Sequence, residues 1–310
     1  MKKVFIDGKA GTTGLRIYER LQGRSDIELL TLSEEDRKDP ACRKEMLNKA
    51  DIAFLCLPDS AAIESVSMID NPDTVVIDTS TAHRTNPDWT YGFPELAKDG
   101  ESAIASSRRI AVPGCHASGF IALVQPLVKA GIIDKKAKLV CNSITGYSGG
   151  GKNMIAQYEA DERDSLLDAP RQYGLTQQHK HLPEMVAVTG LESAPVFCPI
   201  VADFYSGMAV TVGLFASDLN GATAEDIKNI YRNTYNSGIV SFAETADEDG
   251  MYSALGLGGT DSMEVSVFGN DERIILTARY DNLGKGASGA AVECMNIVLG
   301  VDKTTGLELK

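Results

Sequence analysis

Cys115 stands in Val112-Pro113-Gly114-Cys115-His116-Ala117-Ser118-Gly119, where an extended apolar stretch ends and an apolar helical pattern begins. The Pro-Gly pair closes the extended segment, and Phe120, Ile121, Leu123, Val124, Leu127 and Val128 repeat at helical spacing up to Gly131. The spacing predicts a helix over 117–130 with Cys115 at its amino end. Unpaired amides and the helix dipole there favour a thiolate, which is the nucleophilic form of cysteine. The competing interpretation is a buried structural thiol, since free cysteine is among the most buried residue types.

A catalytic thiol needs a base, and the chain has four histidines: His83, His116, His179 and His181. His116 adjoins the cysteine, yet its side chain cannot easily fold back onto the neighbouring sulfur. His179-Lys180-His181-Leu182-Pro183-Glu184 crowds two imidazoles and a carboxylate at the start of a helix whose first turn holds Pro183 and Glu184. His181 is expected to be the base, with Glu184 orienting it and His179 positioning substrate or supporting the loop. The cysteines lack the spacing of zinc ligands, so no metal is expected. A glycine loop, Tyr147-Ser148-Gly149-Gly150-Gly151-Lys152, follows a strand over 138–145. Ser148, Gly149 and Lys152 are expected to face an anionic substrate group through close backbone approach and positive charge.

These groups must be held by a scaffold, and the first third supplies one. Residues 3–7 read as a buried strand, followed by Gly8-Lys9-Ala10-Gly11-Thr12-Thr13-Gly14 and an amphipathic helix through Leu15, Ile17, Tyr18 and Leu21. Strand, glycine turn and helix together form a dinucleotide cradle, so Gly8, Gly11, Thr12, Thr13 and Gly14 are candidate cofactor residues. A second strand, 27–32, ends at Ser33, where an NAD-preferring site carries an acid that bonds the ribose. Ser33, with Arg37 and Lys38 beyond it, favours NADP. Strands over 51–58 and 74–78 alternate with helical segments, which predicts a doubly wound parallel sheet. Their ends place Pro58 and Ser80 at the cofactor edge and make Arg84 a candidate clamp for a substrate anion.

From Val196 the pattern turns to strands, at 196–201 and 208–215, then 263–268 and 273–280 about the turn Gly269-Asn270-Asp271-Glu272. The last pair reads as an antiparallel hairpin, and a helix over 223–235 with a cap near Thr223 lies between. The chain is therefore expected to be α/β, with a Rossmann-type domain (1–114 and 285–310) and an α+β catalytic and oligomerisation domain (115–284). The glycine-rich Asp281-Asn282-Leu283-Gly284-Lys285-Gly286-Ala287-Ser288-Gly289 suits a return to the nucleotide domain.

Among 310 residues, 43% are hydrophobic and 24% charged, the balance of an ordinary globular protein long enough for two domains. A net charge of −13 without basic clusters argues against a nucleic-acid partner and for a small molecule. No apolar run is long enough to span a membrane, and the amino terminus lacks a signal-peptide core. The six dispersed cysteines show no C-x-x-C pair. A reduced, cytoplasmic protein is expected.

Taken in order, Gly8 to Gly14, Ser80-Thr81-Ala82-His83-Arg84, Tyr91-Gly92-Phe93-Pro94-Glu95, Pro113-Gly114-Cys115, Ser148 to Lys152, His179 to Glu184 and Asp281 to Gly286 resemble the short-form N-acetyl-γ-glutamyl-phosphate reductases over essentially the whole chain. That family belongs with the aspartate-semialdehyde dehydrogenases in fold and mechanism. The resemblance implies NADPH, a place in arginine biosynthesis, Cys115 as nucleophile, Asn282 and Gly284 beside the cofactor, and a homodimer or homotetramer. His116 departs from long-form relatives, which commonly carry an aromatic residue there. Two other functions share parts of the pattern: a sister reductase acting on another acyl phosphate, and a non-catalytic NADP sensor. The sensor has no need of the paired Cys115 and His181.

Overall fold

Alternate residues of the first strands enter two different cores, which fixes the layering of the amino-terminal part. Val4 and Ile6 join Phe54 and Ile77 on one face, while Phe5 joins Ala53, Leu55 and Val76 on the other. The computed structural model describes residues 1–310. Its first elements are β1 (Lys2–Asp7), α1 (Thr12–Leu21), β2 (Ile27–Leu30), α2 (Pro40–Lys49), β3 (Ile52–Leu55), α3 (Asp59–Ser67), β4 (Val75–Asp78), β5 (Thr90–Tyr91), α4 (Gly100–Ser106) and β6 (Arg109–Ala111). They build a six-stranded sheet in the order β2-β1-β3-β4-β6-β5 with every pairing parallel. Strands β3 and β4 are buried at every position because helices cover both faces, as their uninterrupted apolar runs require. The carboxy-terminal helix Gly289–Leu299 completes one of those layers through Ala291, Val292 and Met295.

The remaining elements are α5 (Cys115–Lys129), β7 (Val140–Gly146), α6 (Gly151–Tyr158), β8 (Arg171–Gln172), α7 (Leu182–Thr189), β9 (Val196–Ala202), β10 (Met208–Phe215), α8 (Ala224–Thr234), β11 (Val240–Phe242), β12 (Met263–Gly269) and β13 (Arg273–Tyr280). They form a mixed seven-stranded sheet, β11-β12-β13-β10-β7-β9-β8. The hairpin forms with Met263 opposite Tyr280, and Gly269 takes a left-handed φ of 110° at the turn. Thr223 caps α8 in a reciprocal box with Asp226. Helices α5 and α8 lie on one face of this sheet. On the other face Val140, Ile144, Val196, Phe215 and Ile275 are exposed.

Pro126 lies inside α5, where it cannot supply the amide that Ala122's carbonyl needs. Tyr235 repairs the gap, its hydroxyl donating to Ala122 O at 2.6 Å, and Tyr231 does the same for Leu123 O at 2.6 Å. Both phenols are buried, so these bonds satisfy carbonyls that water does not reach.

Two compact units result: 1–94 with 99–114 and 287–307, and 95–98 with 115–286 and 308–310. The break after Gly114 coincides with the start of α5. The return to the first unit comes at Ala287, whereas 285 was expected, and the last three residues stay with the second. Lys285 accounts for part of that difference. Its ammonium is buried in the second unit, 2.9 Å from both carboxylate oxygens of Glu95.

Candidate active site

Cys115 is the first residue of α5, and the hydroxyl of Tyr280 from β13 enters that helix's opening turn. Gly119 N donates to the Tyr280 oxygen at 3.0 Å, and the hydroxyl donates to the Cys115 carbonyl. A side chain thus reaches both members of the i, i+4 pair that opens the α-helix. The approach requires glycine at 119, since a Cβ there would lie 2.7 Å from the Tyr280 oxygen. Position 286 is also tight, a Cβ there falling 3.0 Å from Asp281 O and 3.2 Å from Cys115 Cβ. Cys115 is partly exposed, unlike Cys141, whose thiol burial pushes far up, and Cys56, which burial pushes up to about 12.

Helix α7 packs against α5 and brings in the histidine segment. His181 is its N-cap residue and Glu184 lies in its first turn, both buried. The His181 amide donates to His179 Nδ1 at 3.2 Å, so His179 has the local partner that its sequence context did not suggest. Burial, and then Lys180, hold the His179 pKa below the usual imidazole value.

His116 proves to be the hub of the cluster. Its ring centroid lies 5.7 Å from those of both His179 and His181, with Phe197 at 5.3 Å. Its Nδ1 meets Ser143 Oγ at 2.6 Å and its Nε2 meets Tyr173 Oη at 2.6 Å. Burial, reinforced by His179, pushes its pKa down to about 3, so the ring is neutral near pH 7. Burial and the neighbouring Cys115 push the Tyr173 phenol up. Sequence spacing alone missed Ser143, Tyr173 and Tyr280, and it set His116 aside.

The glycine loop after β7 buries Ser148, whose Oγ accepts from Asn282 Nδ2 at 3.0 Å, while Lys152 is exposed on α6. Gly149 packs against the same amide, a Cβ there falling 3.4 Å from Asn282 Nδ2. Asn282 Oδ1 accepts from Gly207 N at 2.9 Å, and Gly284 is packed so closely that a Cβ would fall 2.0 Å from Thr260 O. Ser148, Gly149, Lys152, Asn282 and Gly284 all belong to the second unit.

In the first unit, a cavity of about 520 Å³ opens beyond β1 and β2, lined by Gly8, Lys9, Leu32, Arg37, Lys38 and Arg43 among others. Gly8 has a φ of 90°, and a Cβ there would lie 2.3 Å from Cys56 O. Gly14 faces the Gly8 carbonyl so tightly that a Cβ would approach it to 2.5 Å. Gly11 is the N-cap of α1 and brings no side-chain cap, leaving the amides of Thr12 and Thr13 without one. These features fit a dinucleotide phosphate, and the cations near Leu32 fit a further phosphate on the ribose.

Ser33 turns its hydroxyl to Asp36 Oδ2 at 2.7 Å, and Arg37 pairs with Glu34 at 2.8 Å. Pro58 begins α3 as its N-cap. Ser80 bonds Asp78 at 2.7 Å, and His83 meets the same carboxylate at 2.6 Å while stacking on Trp89. Arg84 donates to the carbonyls of Val112 and Thr79, both at 2.9 Å, which braces the ends of β4 and β6.

Comparison with known proteins accords with both units. Residues 3–103 match the family model for the semialdehyde dehydrogenase NAD binding domain, and 115–282 match the semialdehyde dehydrogenase dimerisation domain. The N-acetyl-gamma-glutamyl-phosphate reductase of Rhizobium meliloti (strain 1021) is 47% identical over 96% of this chain and 98% of its own. N-acetyl-gamma-glutamyl-phosphate reductase 2 of Nostoc sp. (strain PCC 7120) is 43% identical over 98% and 99%. Among solved structures, aspartate semialdehyde dehydrogenase II of Vibrio cholerae superposes with a TM-score of 0.72 at 18% identity, covering 97% of this chain and 98% of that one. The Candida albicans aspartate semialdehyde dehydrogenase, solved with NADP, gives 0.67 at 15% identity over 97% and 99%. The chain belongs to the semialdehyde dehydrogenase family and, within it, to the N-acetyl-gamma-glutamyl-phosphate reductases.

Proposed function

We propose that this protein reduces N-acetyl-glutamyl 5-phosphate to N-acetyl-glutamate 5-semialdehyde and phosphate, with NADPH, in arginine biosynthesis. The observation that carries this reading is 47% identity to a reductase of that name across 96% of the chain. Cys115 begins α5 and His181 begins α7, a helix packed on α5, and this arrangement supports the chemistry.

His181 takes the thiol proton and the Cys115 sulfur attacks the acyl carbon. The carbon–oxygen bond to phosphate breaks, the leaving phosphate takes the proton held by His181, and a thioester remains. NADPH, when bound, supplies the hydride that reduces the thioester carbon. The resulting thiohemiacetal oxyanion re-forms a carbonyl, the carbon–sulfur bond breaks, and Cys115 leaves as thiolate, which takes up one proton from solvent to restore the starting thiol. Glu184 orients His181, and His179 holds substrate. Ser148, Gly149 and Lys152 face its anionic groups. Gly8, Gly11, Thr12, Thr13 and Gly14 cradle the pyrophosphate, and Arg37 and Lys38 meet the 2′-phosphate, in keeping with the place of Gly8, Arg37 and Lys38 in the cavity wall.

The exposed apolar face of the seven-stranded sheet supports a homodimer or homotetramer. In it Val140 lies opposite Val196 and Gly213 opposite Ile275, within the stretch that matches the dimerisation domain. No helix is long and apolar enough to cross a membrane, which accords with a cytoplasmic enzyme. The test is oxidation of the semialdehyde by the purified protein with NADP and phosphate. Activity is expected, with Cys115→Ser inactive but still binding NADP; turnover by that variant would remove the thioester route.

A further inference from the structure

We infer that Tyr173 is a catalytic residue, its hydroxyl proton set toward the reacting carbonyl oxygen by a relay from Ser143 through His116. The inference rests on the Cys115 thioester reading above. Its geometric basis is two hydrogen bonds on one imidazole, each 2.6 Å long, to two hydroxyl groups.

A neutral imidazole has one donor and one acceptor, so the relay can run in only two directions. In one, Ser143 donates to His116 Nδ1 and His116 Nε2–H donates to the Tyr173 oxygen. In the other, Tyr173 donates to Nε2 and Nδ1–H donates to Ser143. Ser143 decides between them. It is fully buried on β7, and His116 is its side chain's sole hydrogen-bonding partner. The second direction would strand the Ser143 proton in the core, at a cost of about 1–3 kcal/mol. Protonation of the ring would allow it to donate both ways, but burial keeps the ring neutral down to about pH 3.

The relay therefore runs from Ser143 outward, and Tyr173 keeps its own proton. That phenol lies close enough to Cys115 for the sulfur to raise its pKa. It is thus a protonated donor beside the nucleophile. When the sulfur adds to the acyl carbon, the carbonyl oxygen takes up negative charge, and again when the thioester is reduced. Tyr173 stabilises both oxyanions by donating a hydrogen bond, without giving up its proton. A single preorganised donor of this kind is worth about 100- to 1,000-fold in rate.

The test uses the full-length enzyme in two measurements. In single turnover with N-acetyl-glutamyl phosphate, Tyr173→Phe should release phosphate about 100-fold more slowly than wild type. Its rate of thiol alkylation by iodoacetamide should stay unchanged across pH, because an oxyanion donor does not act on thiolate formation. In 15N-histidine NMR of the wild type, His116 should carry its proton on Nε2, and in Ser143→Ala that preference should weaken. A proton on Nδ1 in the wild type overturns the relay, and phosphate release by Tyr173→Phe within about threefold of wild type overturns the catalytic role. So does alkylation falling in step with phosphate release, which would mark a residue that merely supports the thiol's surroundings. Should wild type release no phosphate from this substrate, the substrate assignment fails, and the NMR tautomer still decides the relay.

Discussion

Tyr280 donates its hydroxyl to the main-chain carbonyl of Cys115, the residue at the head of α5. The same oxygen accepts from Gly119 N, so a side chain from β13 is hydrogen-bonded to both ends of this helix's first turn. The nucleophile's main-chain position is thereby set by the sheet. Gly119 and Gly286 are the steric complement, leaving room for the Tyr280 oxygen and for Cys115 Cβ.

Tyr280→Phe keeps the buried ring and removes the bridge. The helix keeps its own backbone turn, so the loss of stability should be modest, about 1 kcal/mol. The sulfur shifts with the relaxed turn, and misplacement on the scale of 1 Å costs up to about 100-fold in rate. We expect kcat to fall between about 10- and 100-fold with NADP affinity unchanged. Wild-type kcat in this variant would show that the bridge does not set the nucleophile's position.

The two histidines of the α7 segment should separate by their effects. His181 is buried at the head of the helix, whereas His179 uses Nδ1 to accept the His181 amide and is held below the usual imidazole pKa by burial. A general acid–base group is worth about 100- to 10,000-fold. His181→Ala should lower kcat by at least about 100-fold and slow thiol alkylation, while His179→Ala should act chiefly on KM. Steady-state kinetics and alkylation rates on the two variants decide it, and a larger kcat loss in His179→Ala would exchange the roles.

The parts of the fold that local physics determines were legible in the chain. Apolar runs such as Ile52–Leu55 announce parallel strands, and the Gly8 to Gly14 turn announces the cradle, because burial and backbone sterics act on neighbours in sequence. The head of α5 was legible from Pro113-Gly114. Its interior was not, since a helix that passes through Pro126 depends on Tyr231 and Tyr235, over 100 residues away. The strands β5, β8 and β11 are too short to show any period. His116 escaped for a similar reason: its partners stand 27 and 57 residues further along and converge only in the folded sheet.

Acid stability should carry the mark of His116. Its folded pKa lies near 3, below the ordinary 6.5, so the unfolded chain takes up a proton that the folded one refuses. The folded state is therefore fully favoured with respect to this group above pH 6.5. It loses ground as the pH falls toward 3, by up to about 1.4 kcal/mol per pH unit. His116→Gln should be less stable than wild type at pH 7.5, having lost its two hydrogen bonds, yet show a shallower decline between pH 6 and 4. Urea unfolding midpoints at several pH values measure this, and parallel declines in the two proteins would remove His116 as the source.

Cofactor choice should reside at the end of β2. The cavity there is lined by Lys9, Arg37, Lys38 and Arg43, but these cations differ in how far they are committed. Arg43 is buried against Asp7 at 3.0 Å and Ser65 at 2.6 Å, so changing it would disturb the sheet. Arg37 pairs with Glu34, and Lys9 lies over the Tyr18 ring. Lys38 is exposed and is the cation to change. A charge-assisted bond to a phosphate is worth about 1.5–3 kcal/mol, roughly 10- to 150-fold in binding. Lys38→Glu adds repulsion to that loss, and the carboxylate suits the unphosphorylated ribose. We expect kcat/KM for NADPH to fall by at least about tenfold and that for NADH to hold or rise, with Ser33→Asp acting in the same direction. Equal losses with both cofactors would place the 2′-phosphate elsewhere, and a wild type that uses NADH as well as NADPH would remove the phosphate subsite altogether.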